Sequence, residues 1–427
     1  MPASRPDRLR LRRVRTGCLT VMAATAVLAG CAAPPTSTAH TPNDGALPIA
    51  SGPRDLTLKM GTLLPLSGTL ATLGPPQIAG TRLAAKDIAA SSLGLSVRLI
   101  ERDSGDTSTS TATVSTTDLL SQGVTAVVGA SASSVTKIVI DQITGAGVVQ
   151  ISPSNTSPEL TAWKDHDMYF RTAPSDVLQG EVLGNEIANA GVATLGIIYL
   201  NDAYGVGLVD NLSASFQSTG GNVVSTQSFN EGDTTFSSQV AAIVAQRPDA
   251  VAVISFDQAR TIIPALIAAG VMAKQLYLVD GNAKDYSSAF TPGLIDGAHA
   301  TIPGVDVTTL GDFTQRLHGV DPELVDTSYA AEAYDAVTLV ALAAYAANSV
   351  SGPDIAKYLR QVSGGTGHGV KVHSFEEGAK LLAQGKQIDY DGLSGGIRFD
   401  EHGDPTETSI GVFTAQHDNT WRRTGDR

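Results

Sequence analysis

The chain has 427 residues, 42% hydrophobic and 17% charged, with a formal net charge of −13. That length exceeds one ordinary domain, and the apolar content excludes a wholly disordered chain. The acid excess argues against nucleic acid or an anionic membrane surface as partner. The only two cysteines, Cys18 and Cys31, exclude a disulfide framework or a cysteine-built metal site in the folded part.

Residues 1–17 are rich in arginine, and Leu19–Leu28 is an apolar run of ten. A helix of that length is too short to cross a hydrocarbon core of ~30 Å. A basic segment followed by such a run reads as a secretory signal peptide over 1–30. It ends in Leu28-Ala29-Gly30-Cys31, which resembles a bacterial lipobox and implies lipidation of Cys31. The alternative is a plain signal peptide with an incidental cysteine. Two or more acyl chains anchor stably, whereas one does not. Residues 31–54 are mostly Pro, Thr, Ser and Ala and read as a flexible tether. The protein is thus expected to be exported and lipid-anchored to the outer face of the cell membrane. No later run reaches the ~18 apolar residues of a transmembrane helix.

From residue 55 onward, short β-rich runs alternate with helical patterns. Strands are expected at Leu56–Gly61, Val97–Glu101, Ala126–Gly129, Val148–Ser152, Leu195–Leu200, Ala250–Ser255, Leu276–Asp280 and Ala300–Pro303. Most are continuous apolar runs, as parallel strands covered on both faces require. Helices are expected between them at Pro76–Ala90, Ser110–Gln122, Val135–Ala146, Asp176–Ala190, Gly205–Thr219, Phe236–Gln246, Gln258–Ala269, Asp306–Leu317 and Ser328–Ala347. Ile397–Asp400 and Ile410–Ala415 read as a hairpin around the turn Asp400–Asp404. The repeated β-α-β units predict an α/β protein with parallel sheets, whose ligands bind beyond the carboxyl ends of the strands.

The loops at those ends carry small hydroxyl residues. Ala126–Gly129 opens into Ala130-Ser131-Ala132-Ser133-Ser134, and Val148–Ser152 opens into Pro153-Ser154-Asn155-Thr156-Ser157. Hydroxyls and free N–H groups at helix N-termini suit a carboxylate or another small anion. Ser and Thr also cap helices whatever the ligand, so both readings stand from the residues alone. Asp280, at another strand end, suits an ammonium or simply a turn. Tyr204 follows a further strand end, where it closes over a ligand or packs the start of a helix.

LTLKMGTLLPLSGTLATLG, ISPSNTSPEL, YFRTAPSD, NDAYGVGL, SYAAEAYDAV and IRFDEHGDPTETSIGVF occur in that order. Over residues 55–420 the chain resembles the Leu/Ile/Val-binding branch of type I periplasmic binding proteins, the substrate receptors of ABC importers. The resemblance implies two Rossmann-like lobes with parallel-sheet cores joined by hinge strands. Lobe one would comprise 55–173 with 303–350, and lobe two 174–302 with 351–427. Hinges would lie near Thr172-Ala173-Pro174 and Ile302-Pro303-Gly304. It implies that Ser133 and Thr156 hold a ligand carboxylate, with Ser154 reaching the ligand through its backbone. Asp280 would meet the ammonium, and Tyr204 would be the aromatic of the second lobe. Leu73, where relatives often have an aromatic, and Ser255-Phe256-Asp257 depart from the family pattern and leave the ligand side chain open.

The implied function is a substrate-binding lipoprotein of an ABC importer, capturing a small amino acid of branched-chain type, or an amide. Its partners would be that ligand, ABC permease subunits and the membrane through Cys31, with no nucleic acid, cofactor or metal. The rivals are a ligand-binding sensor or adaptor and an exported hydrolase using Ser133. Gly129–Ser133 lacks the last glycine of a nucleophile elbow, so no enzyme is expected. His368, His373 and His402 read as solvated surface.

Overall fold

The computed structural model describes residues 46–427. The expected signal peptide and Cys31 lie outside the described residues. Residues 46–54 do not continue the expected tether but form a strap on the folded body. Leu47 exchanges hydrogen bonds with the Gln361 side chain (2.7 and 3.0 Å), and Tyr358 donates to the Pro48 carbonyl at 2.6 Å. Ala50 N–H donates to the Ala346 carbonyl at 2.9 Å. Arg54 donates to the Tyr345 carbonyl at 2.9 Å and lies 4.8 Å from the centroid of that ring. Each such bond contributes about 1 kcal/mol net. Deleting 46–54 is therefore expected to lower the calorimetric melting midpoint by several degrees; an unchanged midpoint would show a passive strap.

The chain then builds β1 (Leu56–Leu64), α1 (Gly74–Ser91), β2 (Leu95–Asp103), α2 (Thr111–Ser121), β3 (Ala126–Gly129), α3 (Ser133–Gly145), β4 (Val149–Ser152) and β5 (Tyr169–Arg171). These strands form an all-parallel sheet in the order β2-β1-β3-β4-β5. β3 and β4 are buried at every position, which is why they read as unbroken apolar runs.

After residues 172–175 the chain enters a second lobe. It comprises α4 (Asp176–Asn189), β6 (Thr194–Leu200), α5 (Ala203–Ser218), β7 (Asn222–Phe229), α6 (Ser237–Ala245), β8 (Ala250–Ile254), α7 (Ala259–Ala268), β9 (Leu276–Val279) and β10 (His299–Pro303). It then returns to the first lobe with α8 (Phe313–His318), α9 (Ala330–Ala347), α10 (Gly352–Val362), β11 (Val370–Val372), α11 (Phe375–Ala383), β12 (Ile388–Gly392) and β13 (Gly395–Gly396). The helix expected over 306–317 is split, because Gly311 sits at φ +63° between a single turn at 307–309 and α8. Among the described residues α9 alone is long and apolar enough to cross a membrane. It is a core helix, buried over nearly its whole length against α1 and α10.

Two further expectations need correction. Residues 352–399 do not join the second lobe. Ile355, Leu359, Phe375, Ile388, Ile397 and Phe399 share one apolar core with Leu58 and Met60 of β1. The amphipathic faces of α10 and α11 find their cover on α9 and β12 rather than across the hinge. The expected turn at Asp400–Asp404 is present, with Phe399 bridged antiparallel to Pro405, but the expected second strand of the hairpin is not its partner. β14 (Ile410–Ala415) pairs antiparallel with β10 and with β15 (Trp421–Asp426), not with Ile397–Asp400. The second sheet thus runs β15-β14-β10-β9-β8-β6-β7, and residues 400–409 are a third crossing between the lobes.

Candidate functional site

The carboxyl ends of β3 and β4 face the carboxyl end of β9 across the gap between the lobes. Gly129, with φ +122°, ends β3 where a Cβ would strike the Leu63 carbonyl. This lets the next residues turn at once into the head of α3. Ser131 Oγ donates to Gln77 Oε1 at 2.6 Å, Gln77 Nε2 donates to Ser154 Oγ at 3.1 Å, and Ser154 Oγ donates to the Ser131 carbonyl at 3.2 Å. Asn155 Nδ2 also donates to that carbonyl, at 2.8 Å, and its Oδ1 accepts from Tyr169 at 2.9 Å. Gln77 and Asn155 thereby lock the two hydroxyl loops together. Ser133 Oγ accepts from Ser157 N–H at 3.3 Å, which leaves its own hydrogen to donate. The first-turn N–H groups of α3 add donors of the same sign.

On the other wall stands Asp280. Its Oδ1 accepts from Tyr204 Oη at 2.7 Å and Gln179 Nε2 at 3.1 Å, and its Oδ2 from Tyr329 Oη at 2.7 Å. Tyr329 comes from the first lobe, held at φ +58° just before α9, so it reaches across the gap. The Tyr204 ring stacks on Phe256, with centroids 5.4 Å apart.

Of the five residues expected at the site, Ser133, Ser154, Tyr204 and Asp280 line one cavity with Leu70, Leu73, Ser131, Phe256 and Gly281. Thr156 lies behind it. It is buried, and its hydroxyl donates to Asp176 Oδ2 at 3.0 Å. The lobes are drawn close, and the space left is about 10 Å³, the room of about one water. Tyr329, Gln179, Gln77 and Asp176 were not singled out in the sequence. Asp176 carried the clearest signal, an acid in the first turn of a helix that starts at a hinge.

This wall is rich in acceptors. Burial pushes the Asp280 carboxyl up, and hydrogen bonds from Tyr329, Tyr204, Gln179 and the Gly281 backbone hold it back. Burial and the neighbouring Asp280 charge push Asp176 well up, against Thr156 and Arg171. Burial moves Asp202 to about 6, against hydrogen bonds from Gly205 and Ser134. Asp176 Oδ1, Gln179 Oε1 and Asp202 Oδ2 have no donor. The cation that acts on Asp176, Arg171, is bound to Asp404 at 2.6 Å. A ligand ammonium is the complement of such a wall. His368, His373 and His402 are exposed, and the described residues hold no group of side chains suited to a metal.

A second set of bonds closes the gap. Glu231 of the second lobe accepts from Thr69 Oγ1 at 2.6 Å, and from the Thr107 hydroxyl and, at 3.3 Å, the Thr107 N–H of the first lobe. These bonds exist only when the lobes meet, so they favour the closed form for any ligand. Glu231→Ala is expected to weaken every ligand by a similar factor of about three to ten. Titration of several ligands checks this; a loss confined to one ligand would contradict it.

A family model described as "Receptor family ligand binding region" matches residues 79–418. The chemotactic signal transduction system substrate-binding protein of Halobacterium salinarum is 28% identical over 280 residues, 64% of this chain and 65% of that protein. The leucine-, isoleucine-, valine-, threonine-, and alanine-binding protein of Pseudomonas aeruginosa is 29% identical over 191 residues, 44% of this chain and 50% of that protein. The chain thus spans half to just under two thirds of the length of these curated relatives. The branched-chain amino acid transporter substrate-binding protein of Streptococcus pneumoniae, solved in complex with isoleucine, superposes with a TM-score of 0.70 at 23% identity, covering 87% of this chain and 99% of that one.

Proposed function

Because this chain belongs to the receptor-family ligand-binding region family, on the Leu/Ile/Val-binding branch of type I periplasmic binding proteins, we propose that it captures a small amino acid between its two lobes and delivers it to an ABC permease. The observation that carries this proposal is the opposition of Ser133 to Asp280 across one cavity. Ser133, the N-terminus of α3 and the backbone of the Ser154–Thr156 loop receive the carboxylate. Asp280, steadied by Tyr204, takes the ammonium. Leu70, Leu73 and Phe256 give the side chain apolar walls, which suit an aliphatic amino acid. Both ends are gripped only when the lobes close, and closure excludes water and strengthens each charged bond.

No covalent step is required of any residue, and the hydrolase alternative lacks a base at Ser133. Export and anchoring rest on the lipobox-like end at Cys31. A sensing role is the second reading, favoured by the name of the Halobacterium relative. A thermal-shift screen of the common amino acids and their amides tests the capture, since a bound ligand raises the melting midpoint by mass action. Branched-chain amino acids are expected to raise it most; a screen without any hit would contradict the proposal. Uptake of the hit into vesicles carrying the permease separates delivery from sensing.

A further inference from the structure

Beside the second crossing lies another groove, of about 570 Å³, far roomier than the cleft at Asp280. Its floor holds Glu332, in the first turn of α9. The Glu332 side chain is 5% exposed. It receives no side-chain hydrogen bond, only its own backbone N–H. No cation of the chain pairs with this buried carboxyl, so a ligand cation has room to do so. The cations nearby are already engaged. Arg423 binds Asp426 and, at 2.7 Å, the Gly304 carbonyl, and Lys284 binds Asp257 at 2.6 Å. Asp285, Asp306 and Asp326 add negative charge to the lining, against Arg422. Trp421 lines the same groove, with its indole N–H fixed on the Lys284 carbonyl at 2.9 Å. An aromatic wall and a buried carboxyl lining one groove are the chemistry that receives an organic ammonium.

We propose that this groove is a second ligand site, separate from the amino-acid cleft, for a small organic cation whose charge meets Glu332 and whose apolar body lies against Trp421. Burial and Asp335, three residues on, hold the Glu332 carboxyl up at about 8, with Arg423 pulling the other way. An arriving cation ionises it. The position gives the site a consequence. Thr172 Oγ1, at the first crossing, donates to the Glu332 carbonyl at 3.0 Å, and Gly304, at the second, packs on its carboxylate. Tyr329 lines the groove while its hydroxyl holds Asp280 in the cleft. A cation here therefore lies against residues of two crossings between the lobes.

The test is fluorescence titration with benzyltrimethylammonium, using benzyl alcohol as the uncharged probe. It is made on a Trp163→Phe protein, in which Trp421 is the sole indole, since the chain has two Trp. The ammonium is expected to give a saturable change that is at least tenfold weaker in Glu332→Gln. Benzyl alcohol should give none at the same concentrations. Asp280→Asn should leave the titration within about twofold. Equal binding by Glu332→Gln, or equal binding of the alcohol, would overturn the proposal. Loss of the signal in Asp280→Asn would place the probe in the cleft and overturn it too. A glutamine fits the same volume and carries no charge, so a folded variant is expected, checked by its circular dichroism.

Discussion

Titrating Asp280→Asn with the captured amino acid is expected to show affinity roughly a hundredfold or more below wild type, a loss of about 3 kcal/mol or more. The asparagine keeps the shape, with its amide oxygen accepting from Tyr204 and its amide nitrogen donating to the Tyr329 hydroxyl in place of accepting from it, but removes the charge that the ammonium needs. Folding should not suffer. Burial raises the Asp280 carboxyl, so the charged form is disfavoured in the folded state, and neutralising it costs no stability. The same sign governs pH. Groups raised on folding, Asp280, Asp202 at about 6 and Glu332 at about 8, contribute stability that is full below their unfolded values. That stability is lost as pH rises through the folded values. Lowering pH from 8 toward 5 is thus expected to raise the melting midpoint of the ligand-free protein, as Glu332 and then Asp202 take up protons. Binding within threefold of wild type in Asp280→Asn would remove Asp280 from the site.

Arg171→Met is expected to cost about 3–5 kcal/mol of folding stability in denaturant titration, the largest single loss foreseen. The Arg171 side chain is fully buried and forks onto Asp404 through Nε at 2.7 Å and Nη2 at 2.6 Å. It also donates to the Ser157 carbonyl at 2.9 Å and to Thr161 Oγ1 at 2.8 Å. These bonds tie the end of β5, at the first crossing, to the third crossing and to the loop that carries Thr156. Removing the arginine leaves the Asp404 charge uncompensated in a largely buried site. Arg171→Lys should recover little, because a point charge cannot replace two parallel N–H bonds. A loss under 1 kcal/mol, or full recovery by lysine, would contradict this account of the hinge.

What the sequence revealed follows from where each segment sits. Ala126–Gly129 and Ala250–Ile254 are buried on both faces, so their apolar runs announced them. β7, with the sequence NVVSTQSF, is an edge strand with half-exposed residues, and β15, WRRTGD, is polar and alternates between half-buried and exposed on the opposite edge. Neither carries an apolar run to read. The lobe of residues 352–399 was misassigned because a helix face such as Ile355 and Leu359 shows that it is buried, not against what.

The site divides in the same way. Ser133, Ser154, Tyr204 and Asp280 were legible because strand ends mark them. Tyr329 was not, since its role depends on a left-handed backbone and a partner 49 positions away. Thr156 shows the converse. Its loop was found, but the partner of its hydroxyl, Asp176, is set by how the first crossing folds back.

The central claim is that one cleft grips both charged ends of a single metabolite. Calorimetry with three compounds tests it: the amino acid found in the screen, its decarboxylated amine and its deaminated acid. Only the zwitterion is expected to bind, with each truncated compound weaker by roughly a hundredfold or more. An amine or an acid binding as tightly as the amino acid would contradict the claim.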